Sequence, residues 1–309
     1  MNRDLKIVSI FFILISLTFN LRAQDINLQF NPEHGFYNQR INVSITANAQ
    51  NARIYYTLDG RLPELTASQG TFLYEGPIVI NKTSCIRAMA ILPDGLRSDV
   101  ITQTYIFIDD VVQQDYQATI NAGFPQRWGT VTPDYGMDPD IVNHPQYGPL
   151  LKSALLSLPT MSIVMNIDDL FGSNGIYTNP EQHGVAWERP GSVELIFPDN
   201  SQGFQVNCGI RIQGGWFRQH SGTKKHSFRL LFKSQYGPSK LSYPLFGENA
   251  TDRFDTIVLR AGANDGYAWR DARFTEQYTR DEFGRRLQLA TGNAAAHGMF
   301  VHLYLNGIY

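Results

Sequence analysis

Glycines and cations are concentrated in one short stretch of the chain. It contains the pair Gly214-Gly215, the cations Lys225 and Arg229, and Arg211 just upstream. A glycine pair lets a backbone approach a ligand closely, and Lys225 and Arg229 would point to one side of a strand because side chains alternate. Fixed positive charge beside backbone N–H groups suits a polyphosphate. The stretch therefore predicts a nucleotide-phosphate site.

Carboxylates follow in a second stretch, residues 259–281, most of which falls in a helix predicted over residues 267–289. In phosphoryl transfer a lysine is commonly held by a carboxylate from an adjoining helix. We expect Glu276 to be the partner of Lys225, with Asp271 as a further organising carboxylate. Each feature taken singly has an ordinary alternative, since glycine pairs form hairpins or bulges and strand lysines usually face solvent. Three acid–base pairs at four-residue spacing suit a charged helix face: Glu276 with Arg280, Asp281 with Arg285, and Glu282 with Arg286.

The first 23 residues have the features of a secretory signal peptide. Arg3 and Lys6 precede an apolar run over residues 7–19, and Ala23 offers a small residue at a cleavage point. The run is short for a membrane-spanning helix, so we expect export and no stable membrane span. An uncleaved N-terminal anchor is the alternative. Loss of Arg3, Lys6 and Arg22 with Asp4 lowers the formal charge from -2 to about -4, which argues against nucleic acid as a partner.

Composition is that of a globular protein, with 43% hydrophobic and 17% charged residues over 309 positions, and this length allows roughly two domains. Residues 26–108 alternate in short runs broken by turns, which is typical of an all-β sandwich. The Asp-Gly turns at Gly60 and Gly95 are expected to place glycine at positive φ. Predicted strands are residues 41–45, 53–57, 78–80, 85–91 and 102–107.

The segment around Tyr56-Thr-Leu-Asp-Gly60 with Pro63, together with Asn31-Pro32 and Ile86-Arg-Ala-Met-Ala90, resembles a known module. It is similar to the chitobiase/β-hexosaminidase C-terminal type of β-sandwich, which is related in shape to immunoglobulin and fibronectin III domains. The resemblance implies a spacer or scaffold. Contact with glycans through exposed aromatic rings is the alternative, since sugar rings stack on aromatic faces.

Residues 109–157 are predicted to form a partly ordered linker, because several prolines forbid a long helix, while residues 147–158 suit one helix that packs by its leucines. The acidic run 134–140 loosely resembles a calcium loop but lacks its terminal bidentate glutamate, so we expect it to form turns and helix caps. Cys85 and Cys208 lie in alternating apolar strands of different predicted domains. Both are expected to be buried free thiols. No cysteine or histidine cluster has metal-ligand spacing, so no metal site is predicted from these residues.

From residue 158 onward the strands return, at 160–165, 191–197, 207–213, 226–232, 256–260 and 299–305. With the single predicted helix they indicate an α+β domain with a mainly antiparallel sheet. The chain is therefore expected to be multidomain.

Several motifs in this region occur in an order that resembles one family. They are Gly209-Ile-Arg-Ile-Gln-Gly214, Lys224-Lys-His-Ser-Phe-Arg229, Leu259-Arg-Ala-Gly-Ala-Asn-Asp265 and Tyr304-Leu-Asn-Gly-Ile-Tyr309. The succession is similar to the spore coat protein H (CotH) kinase-like family over residues 158–309. The resemblance implies a kinase-like N-lobe that binds ATP with a divalent metal, Mg or Mn, and phosphorylates Ser or Thr of a bacterial surface or coat protein.

The resemblance also assigns roles. It makes Lys225 and Arg229 the first candidates for the nucleotide phosphates, with Arg211 next, and Glu276 or Asp271 as organisers. The family's catalytic acids follow the last of these motifs, so we expect the chain to be a fragment whose catalytic and metal-binding residues lie beyond position 309 and which does not transfer phosphate by itself. A noncatalytic surface scaffold, or an adhesion protein that contacts glycans, is the alternative.

Overall fold

The computed structural model describes residues 25–68, 70–266 and 276–309. The N-terminal part consists of eight strands. They are β1 (Leu28–Asn31), β2 (Gly35–Tyr37), β3 (Ile41–Ala47), β4 (Arg53–Thr57), β5 (Phe72–Leu73), β6 (Ile78–Ile80), β7 (Ser84–Ile91) and β8 (Ile101–Phe107).

These strands form a three-stranded sheet in the order β1-β3-β6 and a five-stranded sheet in the order β2-β8-β7-β4-β5. Side chains of both sheets meet in one apolar core, in which Val43, Ile86 and Tyr105 are fully buried. Gly60 and Gly95 have φ of 80° and 89°, as their turns require. The sequence prediction of a β-sandwich is confirmed.

Residues 109–157 contain several short helices, and the last of them lies within the helix expected over residues 147–158. They include most of α1 (Ile108–Val112), then α2 (Tyr116–Asn121), α3 (Pro139–Val142) and α4 (Leu151–Leu155). Val111 of α1 and Leu155 of α4 share a small buried cluster with Tyr304. In the acidic run, Asp138 caps α3 by accepting a hydrogen bond from Asp140 N at 2.9 Å, so this carboxylate takes the expected capping role.

The C-terminal part is built on a six-stranded sheet in the order β15-β12-β11-β10-β9-β16. All neighbours are antiparallel except β16, which is parallel to β9. The elements are β9 (Thr160–Val164), α5 (Ile167–Phe171), β10 (Arg189–Ile196), β11 (Phe204–Gln213), β12 (Ser227–Leu231), β13 (Leu241–Ser242), β14 (Arg253–Phe254), β15 (Thr256–Leu259), α6 (Arg280–Ala290) and β16 (His302–Leu305). A mainly antiparallel sheet was predicted, and the structure has one.

The predicted helix over residues 267–289 is partly wrong. Residues 267–275 lie outside the described part of the chain, residues 276–279 are not helical, and α6 begins at Arg280. The predicted helical pair of Glu276 with Arg280 is therefore wrong. Asp281 and Arg285 are 3.6 Å apart and Glu282 and Arg286 are 2.7 Å apart, which confirms the other two pairs.

The six-stranded sheet has two different faces. One face forms the second apolar core, which includes Ile210 and Phe228. The other face meets β8 of the sandwich, where Thr104 Oγ1 lies 2.8 Å from Ser162 Oγ. Cys85 and Cys208 are both buried free thiols, as predicted. Among the residues that the structure describes, no helix has both the length and the apolar character that crossing a bilayer requires.

Candidate functional site

A cavity of about 1300 Å³ opens at the core face of the six-stranded sheet. Its floor is apolar and includes Met161 and Leu195 of the central strands and Phe228 of β12. Polar side chains from the surrounding segments line the rest of the cavity. They include Asp134, Lys224, Lys225, Arg260, Asp265, Arg280, Asp281, Glu282, Arg285 and His302. An apolar floor with convergent polar groups is the usual form of a small-molecule site.

One wall of the cavity is aromatic. The Trp128 ring lies 5.1 Å from that of Tyr177 and 5.2 Å from that of His220, between ring centres. Trp128 Nε1 donates to Tyr135 OH at 3.1 Å, so the buried indole N–H has its partner. Trp128 and Tyr135 belong to the segment that the sequence suggested was a linker. That segment therefore contributes directly to the cavity.

Two histidines support this wall. His220 Nδ1 lies 2.8 Å from His226 Nε2, and His226 Nδ1 lies 3.1 Å from the carbonyl oxygen of Phe217. A carbonyl only accepts, so His226 Nδ1 carries a proton and, in the neutral ring, His226 Nε2 accepts from His220. Burial lowers the pKa of His226 to about 4, and the neighbouring His220 adds to the shift. The pair is therefore neutral at physiological pH and orients the rings.

Lys224 and Lys225 line the cavity beside this wall. Lys224 Nζ is 3.7 Å from Asp134 Oδ2, whereas the ammonium of Lys225 has no carboxylate within 4 Å among the described residues. Lys225 is exposed to the cavity, and partial loss of hydration there lowers the pKa of its ammonium. It is a partly desolvated cation that faces an open volume.

Another part of the lining carries charges that are already paired. Arg280 Nη1 lies 3.1 Å from Asp265 Oδ1, and Asp281 contacts both Arg260 and Arg285. Carboxylates that are neutralised by arginines are poor ligands for a further cation. Among the described residues, no group of three or more His, Cys, Asp or Glu is arranged to hold a metal.

His302 of β16 also lines the cavity. Its Nε2 lies 3.1 Å from the carbonyl oxygen of Ala154, and its Nδ1 lies 3.1 Å from Tyr309 OH. Burial lowers the pKa of His302, and the positive charge of Lys225 lowers it further.

The structure separates the cations that the sequence grouped together. Lys225 precedes β12 and lines the cavity, whereas Arg229 pairs in register with Arg211 and points to the opposite face, because Phe228 and Leu230 fill the core. The expectation that Lys225 and Arg229 share one side of a strand is wrong. The strand pattern does not extend back to Lys225, since β12 begins only at Ser227.

The glycine pair also lies away from the cavity lining. Gly214 has φ of 125° and its carbonyl accepts from Arg218 Nε at 2.6 Å, so the pair turns the chain at the end of β11. The loop that lines the cavity is Ser221-Gly222-Thr223. Packing requires a glycine in this loop, since a Cβ on Gly222 would lie 2.9 Å from the Trp216 ring.

Of the two predicted organising carboxylates, Asp271 lies outside the described residues. Glu276 is described, but its carboxylate does not lie within 4 Å of the Lys225 ammonium and it is not part of the described cavity lining. The predicted ion pair between them is wrong in this structure. The loop before α6 places Glu276 outside the helix from which it was expected to reach Lys225.

Comparison with known proteins bears on the N-terminal part alone. Residues 43–105 match the family described as Fn3 associated. We call this part the Fn3-associated module, and the match agrees with the predicted fibronectin III-like sandwich. No curated protein and no solved structure matches the chain at a significant level. The kinase-like resemblance of residues 158–309 stays a prediction.

Sequence reasoning missed the residues that the fold brings to the cavity from a distance, above all Trp128, His220 and His302. Nothing in the sequence around Trp128 indicated a part in a site. A histidine pair six residues apart, at positions 220 and 226, was the available signal. The sequence alone assigns this pair no role, because the loop between the two residues has no regular period.

Proposed function

We propose that the cavity binds the polyphosphate of ATP, as the CotH-type resemblance implies. The observation that carries the proposal is Lys225, an ammonium that faces an open volume without a carboxylate partner among the described residues. Phosphate oxygens would supply the missing counter-charge, and a partly desolvated ammonium gains more from such a contact than one in bulk water. The volume of about 1300 Å³ exceeds that of an ordinary small-ligand pocket, so the cavity has room for a nucleotide.

The remaining lining residues suit the same ligand. Lys224 lies next to Lys225 in the lining, and the edges of Trp128 and Tyr177 that line the cavity would pack against a nucleobase. Bound ATP brings the phosphoryl group that a kinase transfers. The described residues fit its phosphates, but they do not supply a ligand set for the accompanying divalent metal. No catalytic role is proposed for any described residue.

In the whole protein the proposed reaction is transfer of the γ-phosphoryl group of ATP to a Ser or Thr hydroxyl of a surface or coat protein. The signal-peptide pattern in residues 1–23 supports export. The Fn3-associated module would serve as a spacer or scaffold that is packed against the cavity-bearing part through β8.

Isothermal titration of the chain with ATP tests the proposal. We expect Lys225→Met to weaken ATP binding at least about tenfold, the loss of one charge-assisted contact, and to leave the melting temperature unchanged or higher. Lys82→Met is the matched control, because Lys82 is exposed on the Fn3-associated module. Equal ATP affinity in the wild type and in Lys225→Met, or no ATP binding by the wild type, would reject the site.

One observation favours the alternative, a scaffold that contacts glycans. Phe72 of the edge strand β5 is 46% exposed, and its ring lies 5.4 Å from that of Tyr56. An exposed aromatic ring is a surface on which a sugar stacks. A glycan array with the wild type and Phe72→Ala tests this function, and it fails if the wild type binds no glycan.

A further inference from the structure

The face of the six-stranded sheet opposite the cavity carries a row of charged residues. Arg211 of β11 pairs in register with Arg229 of β12, and Arg189 pairs with Ile210, which puts Glu188 opposite Arg211. Directly opposed residues of antiparallel strands point to the same side. Glu188, which immediately precedes β10, therefore forms one line with Arg211 of β11 and Arg229 of β12.

Glu188 fixes the inner end of this row. Its carboxylate is fully buried, accepts from Arg211 Nε at 2.7 Å and lies 2.8 and 2.9 Å from Lys233 Nζ. Burial alone would raise the pKa of Glu188, but the hydrogen bonds from Lys233, Arg211 and Tyr236 outweigh it and lower that pKa. The carboxylate is thus ionised, and it holds two cations in place.

The row carries more positive than negative charge. Glu188 contacts two cations, Arg211 and Lys233, and a third cation, Arg229, lies beside Arg211 on the neighbouring strand. Arg229 is exposed, and among the described residues no carboxylate lies within 4 Å of its guanidinium. Because the Glu188 charge is already shared by Arg211 and Lys233, the charge of Arg229 is available to a partner.

We propose that this row is a docking surface for an acidic peptide segment of a partner protein. Charge complementarity identifies the occupant: arginine presents a planar set of N–H donors that matches carboxylates, and Arg211 is already held in position by Glu188. A peptide is favoured over nucleic acid because the chain as a whole is acidic, with a formal charge of -2, and repels an extended polyanion beyond this row. The surface lies on the far side of the sheet from the cavity, so it acts independently of nucleotide binding.

Fluorescence anisotropy without nucleotide tests the proposal, and its failure is therefore separate from failure of the ATP site. The probe is a short labelled peptide of alternating Glu and Ser, compared with one of alternating Gln and Ser. We expect tighter binding of the Glu peptide, weakening of that binding at raised salt, and a loss of about fivefold in Arg229→Gln. Arg229→Glu should lose more than Arg229→Gln, since it adds repulsion.

Arg40→Glu is the matched control, because Arg40 is exposed just before β3 of the N-terminal sandwich and carries the same charge. A specific surface predicts that Arg40→Glu binds the Glu peptide as the wild type does. Equal binding of the Glu and Gln peptides, or equal losses in Arg229→Glu and Arg40→Glu, overturns the proposal. Tighter binding of a single-stranded oligonucleotide than of the Glu peptide overturns it as well.

Discussion

His34 Nδ1 lies 2.7 Å from Glu194 Oε1, although 160 positions separate the two residues. His34 belongs to the Fn3-associated side of the structure and Glu194 to the centre of β10. Glu194 is fully buried and also accepts from Thr104 N at 3.1 Å and from the Thr104 hydroxyl. A buried carboxylate requires such partners, so the contact between the two parts depends on polar groups as well as on apolar packing.

We predict that this contact makes the protein more stable at acidic pH. Burial alone would lower the pKa of His34, but the hydrogen bond and charge of Glu194 raise it above its ordinary value. Stability from a raised histidine pKa is fully present below the unfolded-state value of about 6.5 and is lost as the pH rises through the folded-state value. The charged hydrogen bond contributes about 2 kcal/mol.

Urea denaturation of the wild type and His34→Gln across this pH range measures the effect. The difference in unfolding free energy between the two should be largest at low pH and should shrink as the pH rises. A difference that does not vary with pH would contradict the ionised pair.

For His226 we predict the opposite pH dependence of stability. Burial lowers the pKa of His226 to about 4, so the folded state resists a proton that the unfolded chain accepts. Stability is therefore lost as the pH falls from about 6.5 toward 4, by about 3 kcal/mol. His226→Phe should remove this loss when denaturation midpoints are compared between pH values. His183 is exposed, and His183→Gln should leave the pH dependence unchanged.

Gly209 has a packing role that substitution will reveal. A Cβ at this position would lie 2.5 Å from Tyr236 Cε2 and 2.8 Å from Glu188 Cγ. Glu188 cannot easily move, because Arg211 and Lys233 hold it. We expect Gly209→Ala to cost about 2 kcal/mol in a thermal melt.

The control for this prediction is Gly284→Ala in α6, where an added Cβ meets nothing within 4 Å. That change should stabilise the protein by about 0.5 kcal/mol, because alanine favours a helix over glycine. If the two substitutions shift the melting temperature equally, the crowding at Gly209 is not a constraint.

Both cysteines are expected to resist thiol reagents in the native protein. Desolvation raises the pKa of Cys85 to about 12 and that of Cys208 to about 12, so neither forms a thiolate at neutral pH. A colourimetric thiol assay should detect almost no reaction before denaturation and both thiols afterwards. Rapid modification of either cysteine in the folded protein would show that its strand opens locally.

Local pattern was enough to predict most of the strands. In β4, Arg53–Thr57 was predicted over the same residues at which the strand is found, because alternation and a following Asp-Gly turn are properties of adjacent residues. The helix predicted before residue 280 was wrong because it, too, was inferred only from the spacing of nearby residues. Four-residue charge spacing continues through residues 276–279, but the chain there is not helical, and the pattern alone cannot mark where a helix begins.

The sequence by itself determined the β-sandwich, the mainly antiparallel sheet and the burial of both cysteines, because these depend on periodicities of two to four residues. Only the tertiary structure decided which cations act together. A two-residue pattern places Lys225 and Arg229 on one side, but β12 begins after Lys225, so one residue lines the cavity and the other lies beside Arg211. Strand register and the path of the preceding loop, which depend on contacts between distant segments, set that division.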